Sequence, residues 1–383
     1  METSKILIMK IFDALRRKES GEKHILFVGP MPPPLHGQSF VFAETFKIFS
    51  FSRPFLVNVN VSGTSFPRLL CVTVKGVVKL VLYLLTKKIS VVYFTCSRSL
   101  KGSLFDIVVI ALSHMAGAKL VNHIHGSDFK SFYDSCPRLY RMVIDTLYKK
   151  IDVSIVPMKG IERQISGLFP EMHVATVHNF VSDDITCSDK KTISNSVKLL
   201  FLSNIMISKG IVELFDAFSL VARERSDITL TIAGEIYGDR YLSREKMKDV
   251  FFRRFKIIDR DTGGRIEYRG FVGGNEKVGL LCSADILVLP SYNEALPLAV
   301  VEGMRAANAI IATRTLYLDD YISDSEGMLV PIGNVDELTR AIRFLLENQS
   351  ILRRIQQHNQ AYAHTFFSMT KYKNDMISIF NDL

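Results

Sequence analysis

The sequence predicts an α/β protein built from two doubly wound lobes with parallel sheets. The chain has 383 residues, which is too long for one ordinary core and suits two domains of roughly 150 to 200 residues each. Short apolar runs alternate with segments of helical periodicity, a pattern that favours parallel sheets. A polar, turn-rich stretch at 181–196 interrupts this alternation, as a linker between compact domains does.

The first lobe opens with the apolar run HILFVG at 24–29, which we expect to form a buried strand. A loop follows, and then a helix that is expected to begin near Ser39 as its N-cap. Because strands and helices alternate from here on, the sheet is predicted to be parallel. Further strands are expected at 55–59, 90–95, 119–124, 152–156 and 173–177.

The same alternation restarts after the linker and predicts a second lobe. Its strands are expected at 198–203, 228–233, 266–271, 285–289, 309–313 and 328–331. We therefore assign a first domain to 1–180, a linker to 181–196, a second domain to 197–360 and closing helices to 361–383. Residues 1–22 fit an amphipathic N-terminal helix, or equally a helix of the lobe itself.

The two halves of the chain differ in charge. Residues 1–180 carry 23 Lys and Arg residues against 12 Asp and Glu, whereas residues 181–383 carry 25 against 27. The first lobe is therefore expected to face something anionic. No nucleic-acid-binding motif accompanies the positive charge, so nucleic acid is not predicted as a partner. An anionic membrane surface and a phosphorylated acceptor remain as candidates.

Three basic residues, Arg68, Lys75 and Lys79, share one face of a predicted helix and are surrounded by apolar positions. This pattern is typical of a basic amphipathic helix that lies on anionic lipid. A largely buried lobe helix with a solvated basic edge fits the same periodicity. We assign these three residues to acceptor or membrane contact.

Neither a transmembrane segment nor a secretory signal is predicted. The longest uncharged window, 24–43, contains several prolines and glycines that break a lipid-exposed helix. The N-terminal stretch lacks a small-residue cleavage pattern. The five cysteines are scattered and never form a C-x-x-C pair, so we expect reduced thiols and neither a disulfide framework nor a zinc site.

The stretch PSYNEALPLAVVEGM at 290–304 places Glu294 on a loop after a strand and Glu302 on the helix that follows. Ligands of open α/β sheets bind at the carboxyl ends of strands, where helix N-termini attract phosphate. Carboxylates beside a phosphate site are good acceptors for sugar hydroxyls. An acid at a helix start and an ordinary helix glutamate would give the same bare spacing, but the strand, loop and helix context favours a nucleotide-sugar site.

This stretch resembles the E-x7-E signature of retaining glycosyltransferases of family 4. The resemblance implies the GT-B fold, in which two Rossmann-like lobes face each other across a cleft. Three further stretches agree with it: FLSNIMISKG at 201–210, TIAGE at 231–235 and GPMPPPLHGQS at 29–39. The resemblance covers most of the chain and is strongest in 198–332.

The resemblance also implies roles for individual residues. Lys209 would contact the donor diphosphate, Glu294 the hydroxyls of the donor sugar, and Glu302 the ribose. His125 of the HG pair would lie near the transferred sugar, so His125, Lys209 and Glu294 are the expected catalytic residues. The remaining expected donor-binding residues are Gly37, Asn204, Gly234, Val272, Ala295 and Leu296.

Some residues depart from the family pattern or fit another one. Asn204 stands where many relatives have an arginine, and Arg269 or Arg314 are candidates to replace it; Ala295 stands where glycine is common. His123 and His125 have a spacing that also suits a metal, but the resemblance assigns His125 to the sugar and leaves His123 structural. The D-x-D formed by Asp259 and Asp261 is expected to be a chance match in a polar loop.

The sequence thus predicts a retaining transferase that moves a hexose or N-acetylhexosamine from a nucleotide sugar, with UDP as the expected nucleotide. The expected acceptor is a lipid-linked glycan or a precursor of lipopolysaccharide, O-antigen or capsule. No metal or other cofactor is expected. The protein is expected in the cytoplasm, at the inner face of the cell membrane. A sugar-nucleotide epimerase or a noncatalytic sugar-nucleotide-binding protein of the same fold is the alternative.

Overall fold

The computed structural model describes residues 24–33, 37–59, 66–181, 184–187, 196–315 and 318–383; for 66–69 it describes the backbone alone. The described residues up to Val177, together with Lys373–Leu383, form one compact unit, the N-terminal unit. Residues between His178 and Tyr372 form the second, the C-terminal unit. The predicted helix at 1–22 and most of the predicted linker at 181–196 lie outside the described residues.

The N-terminal unit is built on a parallel sheet of six strands in the order β2-β1-β3-β4-β5-β6. Its strands are β1 His24–Gly29, β2 Phe55–Asn58, β3 Ile89–Thr95, β4 Lys119–His123, β5 Val153–Val156 and β6 His173–Thr176. Its helices are α1 Gly37–Ile48, α2 Phe66–Thr86, α3 Leu100–Met115, α4 Phe129–Ser135, α5 Arg138–Tyr148 and α6 Lys159–Leu168.

The C-terminal unit repeats this plan with the strand order β12-β11-β10-β7-β8-β9, again all parallel. Its strands are β7 Val197–Leu202, β8 Ile228–Ala233, β9 Ile266–Gly270, β10 Ile286–Leu289, β11 Ala309–Thr313 and β12 Gly327–Val330. Its helices are α7 Ile211–Glu224, α8 Arg244–Thr262, α9 Gly274–Ser283, α10 Leu298–Arg305, α11 Val335–Glu347, α12 Gln349–Phe366 and α13 Met369–Asn381, which ends in the N-terminal unit.

The predicted fold class is confirmed because the apolar runs do form the strands. Strands of a parallel sheet are covered by helices on both faces, so they are apolar throughout and do not alternate. The central strands β10 and β11 are buried along their whole length. Most of the predicted strand limits lie within one residue of the observed limits.

Helix starts are set by local side-chain caps at several places. Ser99 accepts a hydrogen bond from the backbone N–H of Gly102 at 3.2 Å, and Asn334 accepts one from Glu337 at 2.9 Å. Each cap satisfies a backbone donor that the first helical turn leaves unpaired. The cap predicted at Ser39 is wrong, because α1 already begins at Gly37 and Ser39 is buried within it.

The last helix returns to the N-terminal unit. Phe380 of α13 packs with its ring centroid 4.3 Å from that of Phe49, and it also lies against Tyr93 in the core of that unit. An aromatic cluster of this kind buries a large apolar area. The C-terminal end of the chain is therefore part of the N-terminal core.

The cysteine prediction is wrong for one pair. Cys187 and Cys282 form a disulfide, with Cα atoms 5.4 Å apart and a sequence separation of 95 residues. Folding brings together two thiols whose spacing gives no sequence pattern. The other three are free thiols: Cys96 and Cys136 are buried, and Cys71 is exposed on α2.

None of the helices in the described ranges combines the length and apolar composition that crossing a bilayer requires.

Candidate active site

The E-x7-E stretch lies at the point where the C-terminal sheet changes direction. The chain runs from β7 outward to β8 and β9, and then returns to place β10 on the other side of β7. The loops that follow β7 and β10 therefore open next to each other at the carboxyl ends of adjacent strands. Such a switch point is where open α/β sheets bind their ligands.

Glu294 lies on the loop between β10 and α10, and Pro297 occupies the N-cap position of α10. Glu302 is the fifth residue of α10 and is 7% exposed. The two acids thus lie at the same end of the sheet, Glu294 on the loop and Glu302 on the helix that follows it. This is the arrangement that the sequence predicted for them.

Lys209 and Glu294 form an ion pair between the two adjacent loops. Ser291 donates a hydrogen bond from its hydroxyl to the same carboxylate oxygen, Oε1, at 2.9 Å. Both partners of the ion pair are largely shielded from solvent, at 22% and 16% side-chain exposure. Among the described residues, Oε1 receives all the hydrogen bonds made to this carboxylate, which leaves Oε2 as an acceptor for a ligand.

Glu302 forms an ion pair with a different lysine. Lys277 Nζ in α9 donates to Glu302 Oε1 at 2.7 Å, and the glutamate side chain is only 9% exposed. Sequence analysis did not identify Lys277, although Val272 five residues earlier was selected. A single lysine 25 positions from its partner carries no pattern, so the contact becomes visible only in the fold.

Backbone and hydroxyl contacts hold the loop after β10 against the loop after β7. The backbone N–H of Tyr292 donates to the carbonyl of Ser208 at 2.9 Å, and the Ser291 hydroxyl shares its one proton between this carbonyl, at 3.2 Å, and Glu294 Oε1. Thr315, after β11, donates to the carbonyl of Glu294 at 3.4 Å. The position of Glu294 is thereby fixed by three neighbouring loops.

Gly210, which follows Lys209, is required by a close backbone approach. Its φ is +72°, and a Cβ atom there would lie 2.0 Å from the carbonyl oxygen of Pro290. An L-residue with a side chain is strained at this φ and has no space for it. The glycine therefore allows the Lys209 loop to touch the loop that carries Glu294.

Gly234, predicted to bind the donor, has an equally restricted position. Its φ is +152°, and a Cβ would lie 1.8 Å from the carbonyl oxygen of Ser203 and 3.4 Å from the backbone nitrogen of Asn204. Ile205 also donates its N–H to the carbonyl of Glu235 at 2.9 Å. The structure thus brings Gly234 and the exposed Asn204 into adjoining loops.

Arg269 and Arg314, the candidates for the role of the arginine that relatives carry at position 204, are each paired with an acid. Arg269 pairs with Glu267 at 2.9 Å, and Arg314 pairs with Asp319 at 3.0 Å. Both side chains are about half exposed. Each of the two arginines is therefore paired with an acid close to it in sequence.

The remaining predicted donor positions are buried parts of the loops. Val272, Ala295 and Leu296 are each less than 8% exposed. Among the described residues with side chains, Arg53 and Ala307 have a positive φ, so Ala295 has an ordinary backbone conformation. The carbonyl of Leu296 accepts a hydrogen bond from Asn179 Nδ2 at 2.8 Å, which holds the end of the loop before α10.

In the N-terminal unit, His125 follows β4 and stacks on His123, with ring centroids 4.0 Å apart. Tyr93 OH lies 2.7 Å from Nδ1 of His123, and complete burial lowers the pKa of His123 to about 3. A neutral, hydrogen-bonded His123 therefore supports the half-buried His125 ring. This placement agrees with a structural role for His123.

The loop after His125 is fastened by an ion pair between Arg98 and Asp128. Arg98 passes so close to Gly126 that a Cβ atom there would lie 1.4 Å from its Nη1 atom. A side chain at the glycine of the HG pair would therefore have to displace the Arg98 guanidinium. Gly37, also predicted to bind the donor, is the first residue of α1.

The three basic residues predicted for acceptor or membrane contact all lie on α2. Lys75 and Lys79 are exposed, and Lys79 lies 5.6 Å from the ring centroid of Tyr83. The side chain of Arg68 falls outside the described residues.

The D-x-D pair is not in a loop, as was expected, but in the last turn of α8, where Arg260 pairs with Asp261. Helix α8 includes Asp259 to Thr262 and ends at Gly263. Within the described ranges, no group of three or more His, Cys, Asp or Glu residues is arranged to hold a metal.

Comparison with known proteins relates the C-terminal unit to a described family. The family model of the glycosyl transferases group 1 matches residues 186–362. This part of the chain is similar to the group 1 glycosyl transferases. The matched residues, 186–362, are called the group 1 region. It contains both lysine–glutamate pairs, Lys209 with Glu294 and Lys277 with Glu302.

Similar proteins extend the comparison beyond the group 1 region. The lipopolysaccharide 1,2-N-acetylglucosaminetransferase of Salmonella typhimurium is 23% identical over 208 residues, which are 54% of this chain and 52% of that enzyme. The chain thus matches about half the length of this relative. A glycosyltransferase from Rickettsia africae has a TM-score of 0.71 at 14% identity, covering 95% of this chain and 99% of its own.

A second solved structure supports the same fold. The Anabaena protein HepE, crystallised with UDP-glucose, has a TM-score of 0.70 at 14% identity and covers 94% of this chain and 100% of its own. Likeness at this level of identity establishes the fold. The predicted GT-B class, with a parallel six-stranded sheet in each unit, is thereby confirmed.

Proposed function

We propose that the protein is a retaining glycosyltransferase of family 4. It moves a hexose or N-acetylhexosamine from a UDP-sugar to a lipid-linked glycan or a lipopolysaccharide-type precursor. The observation that carries the proposal is the pair of lysine–glutamate contacts, Lys209 with Glu294 and Lys277 with Glu302, on loops and helices at one switch point of the C-terminal sheet. The group 1 match to this region supports it.

Lys209 is assigned to the leaving diphosphate. As the glycosidic bond breaks, negative charge grows on the diphosphate, and an ammonium group beside it stabilises the transition state more than the ground state. In the structure this ammonium is paired with Glu294. The lysine is therefore already held at the end of its loop before the donor binds.

Glu294 is assigned to the hydroxyls of the donor sugar, and Glu302 to the ribose. Oε2 of Glu294 is the oxygen that accepts from the sugar, because Oε1 is engaged by Lys209 and Ser291. A charge-assisted hydrogen bond of this kind fixes the sugar ring over the diphosphate. Glu302 is held by Lys277 within reach of a nucleoside bound at the same end of the sheet.

The proposed transfer needs no metal, because Lys209 and the helix-terminal N–H groups would neutralise the diphosphate. Retention is assigned to attack of the acceptor on the face from which the diphosphate leaves, with a phosphate oxygen of the donor taking the acceptor proton. His125, half-buried and supported by His123, is assigned to contact with the transferred sugar.

The acceptor class rests on two observations. The Salmonella relative is a lipopolysaccharide N-acetylglucosaminetransferase, and the N-terminal half of the chain carries an excess of positive charge. A phosphate-bearing lipid-linked acceptor complements that charge. We place the reaction at the inner face of the cell membrane, where a cytoplasmic nucleotide sugar meets such an acceptor.

The test is a donor and product analysis with the full chain. Radiolabelled UDP-, GDP- and dTDP-sugars are incubated with extracted lipid-linked glycans in the presence of a chelator, and the anomeric configuration of the product is determined by NMR. We expect transfer from a UDP-sugar with the donor configuration retained. An inverted product or a metal requirement would overturn the mechanism, whereas free sugar of altered stereochemistry would indicate an epimerase, and binding without turnover a noncatalytic protein.

A further inference from the structure

Helix α2 exposes a continuous aliphatic stripe. Leu70, Val74, Val78 and Leu82 are spaced four residues apart, and each is more than half exposed. Residues at this spacing lie above one another on one helix face. Single exposed apolar residues are common on protein surfaces, but four in a row along one helix are not explained by chance exposure.

The two neighbouring helices also expose leucines. α2 packs on α3, where a Cβ at Gly76 would lie 3.4 Å from the Phe105 ring, and α3 packs on α5 through Ser103 and Tyr140, whose hydroxyls are 2.7 Å apart. The chain neighbours of these last two residues, Leu104 and Leu139, are 56% and 78% exposed. We call the stripe together with Leu104 and Leu139 the aliphatic face.

The described charged side chains of α2 are all of one sign. Lys75 and Lys79 are exposed on α2 between the stripe residues. Residues 45–105, which include all of α2 and the start of α3, contain no aspartate or glutamate. A lysine beside an apolar stripe can lie with its methylene groups along that surface and its ammonium at the level of lipid headgroups.

We propose that the aliphatic face docks onto the surface of an anionic lipid bilayer, with the stripe entering the headgroup region and the lysines contacting lipid phosphates. Helices that lie in the interface of an anionic membrane combine an aliphatic surface with lysines at its border. Protein interfaces are instead enriched in aromatic residues and arginine and depleted in lysine. The docking can be tested without the transfer reaction, because its residues lie on α2, outside the lysine–glutamate pairs.

The experiment is vesicle flotation of the full chain. The vesicles contain either phosphatidylcholine alone or phosphatidylcholine with phosphatidylglycerol. We expect flotation with the anionic vesicles, weakened by salt. Lys75→Gln with Lys79→Gln should lower the partition coefficient roughly 30-fold, since each lysine contributes a factor of about five. Val74→Ser with Val78→Ser should lower it at least about tenfold, with both lysines still present.

Matched controls lie on α8 of the C-terminal unit. Phe252→Ser with Ile257→Ser, and Lys248→Gln with Lys256→Gln, remove the same kinds of exposed side chain. We expect neither pair to change flotation. Because transfer activity is not the readout, failure of the proposed function leaves this result unaffected, and failure of docking leaves sugar transfer to a soluble acceptor intact.

A second measurement keeps all stripe residues in place. The exposed thiol of Cys71, next to Leu70, is labelled with an environment-sensitive fluorophore. A blue shift on adding anionic vesicles supports docking. The proposal is overturned by an unchanged spectrum, by equal flotation with both vesicle types, or by a concentration-dependent dimer that Val74→Ser with Val78→Ser dissociates, since the face would then be covered by a second copy.

Discussion

Glu302, nearly buried in α10, accepts a hydrogen bond from Lys277 of α9 at 2.7 Å. A carboxylate removed from water needs such a partner, because an unpaired buried charge is strongly destabilising. The pair also fixes the direction in which the carboxylate points. It therefore connects the stability of the C-terminal unit with the geometry that is proposed for nucleoside binding.

Replacing this lysine should affect both properties. Lys277→Met keeps most of the side-chain length but leaves Glu302 without its partner, so we expect a loss of about 1–3 kcal/mol in the free energy of unfolding. Affinity for UDP should fall roughly tenfold, about 1.4 kcal/mol. The double variant Lys277→Met with Glu302→Gln should regain most of the stability but not the affinity. Urea unfolding and calorimetric titration with UDP measure the two effects, and strictly additive losses would contradict the coupling.

Removing the lysine of the other pair should act mainly on turnover. Lys209→Ala should lower kcat about 10²- to 10³-fold, roughly 3–4 kcal/mol, with a smaller change in donor affinity, because charge on the diphosphate grows only as the bond breaks. Lys198→Ala, at an exposed lysine of the same unit, is the control. Steady-state kinetics that show an unchanged kcat and only a raised KM would remove Lys209 from transition-state stabilisation.

The glycine that follows β8 should not tolerate a side chain. Gly234→Ala places a methyl group 1.8 Å from a backbone carbonyl at an unfavourable φ, so either the loop moves or the unit loses stability. We expect a loss of about 2–4 kcal/mol. Gly279→Ala, inside α9 with nothing within 4 Å of the added methyl, should instead be neutral or stabilising by up to about 1 kcal/mol. Equal melting temperatures for the two variants would contradict the loop geometry.

The pH dependence of the N-terminal unit should be governed in part by a buried acid. Burial raises the pKa of Asp106 from 3.8 to about 7, while hydrogen bonds from Ser97 act against this rise. Since the folded pKa is the higher one, the unfolded state loses this proton first, and stability falls as pH rises from about 4 to about 7. Asp106→Asn keeps the contacts to Ser97 and removes the proton.

The variant should therefore gain stability relative to the wild type as pH increases over that window, by several kcal/mol at most, and the gain should level off above about pH 7. Urea midpoints of both proteins across this range measure the difference. A difference that stays constant with pH, or that shrinks as pH rises, would show that Asp106 is already ionised in the folded state at the lower end.

The strands could be predicted because each is a short, uninterrupted run of apolar residues, and burial on both faces of a parallel sheet demands such runs. HILFVG and AIIAT are examples whose limits agree with β1 and β11. Helix starts were harder to predict, since Ser39 is a good capping residue by type but lies inside α1. Local preference there was overruled by packing.

Contacts between distant residues could not be predicted from one sequence. The E-x7-E acids share one strand–loop–helix segment, so their spacing indicated their common location. Lys277 and Glu302 come from different helices, and Cys187 and Cys282 are 95 residues apart. The packing of Phe380 against Phe49 likewise depends on the path of the last helix. These contacts arise from the tertiary fold, and no local pattern carries them.

The most direct test of the central claim is a comparison of Glu294→Gln with Glu347→Gln, an exposed glutamate of α11 in the same unit. Donor binding is measured by calorimetry and sugar transfer with the radiolabelled donor identified for the wild type. We predict that Glu294→Gln keeps its melting temperature and UDP affinity but loses turnover by about 10- to 1000-fold, on the order of 1.4–4 kcal/mol, while Glu347→Gln matches the wild type. Wild-type turnover in Glu294→Gln would contradict the assignment of this carboxylate to the donor sugar, and with it the account of the site.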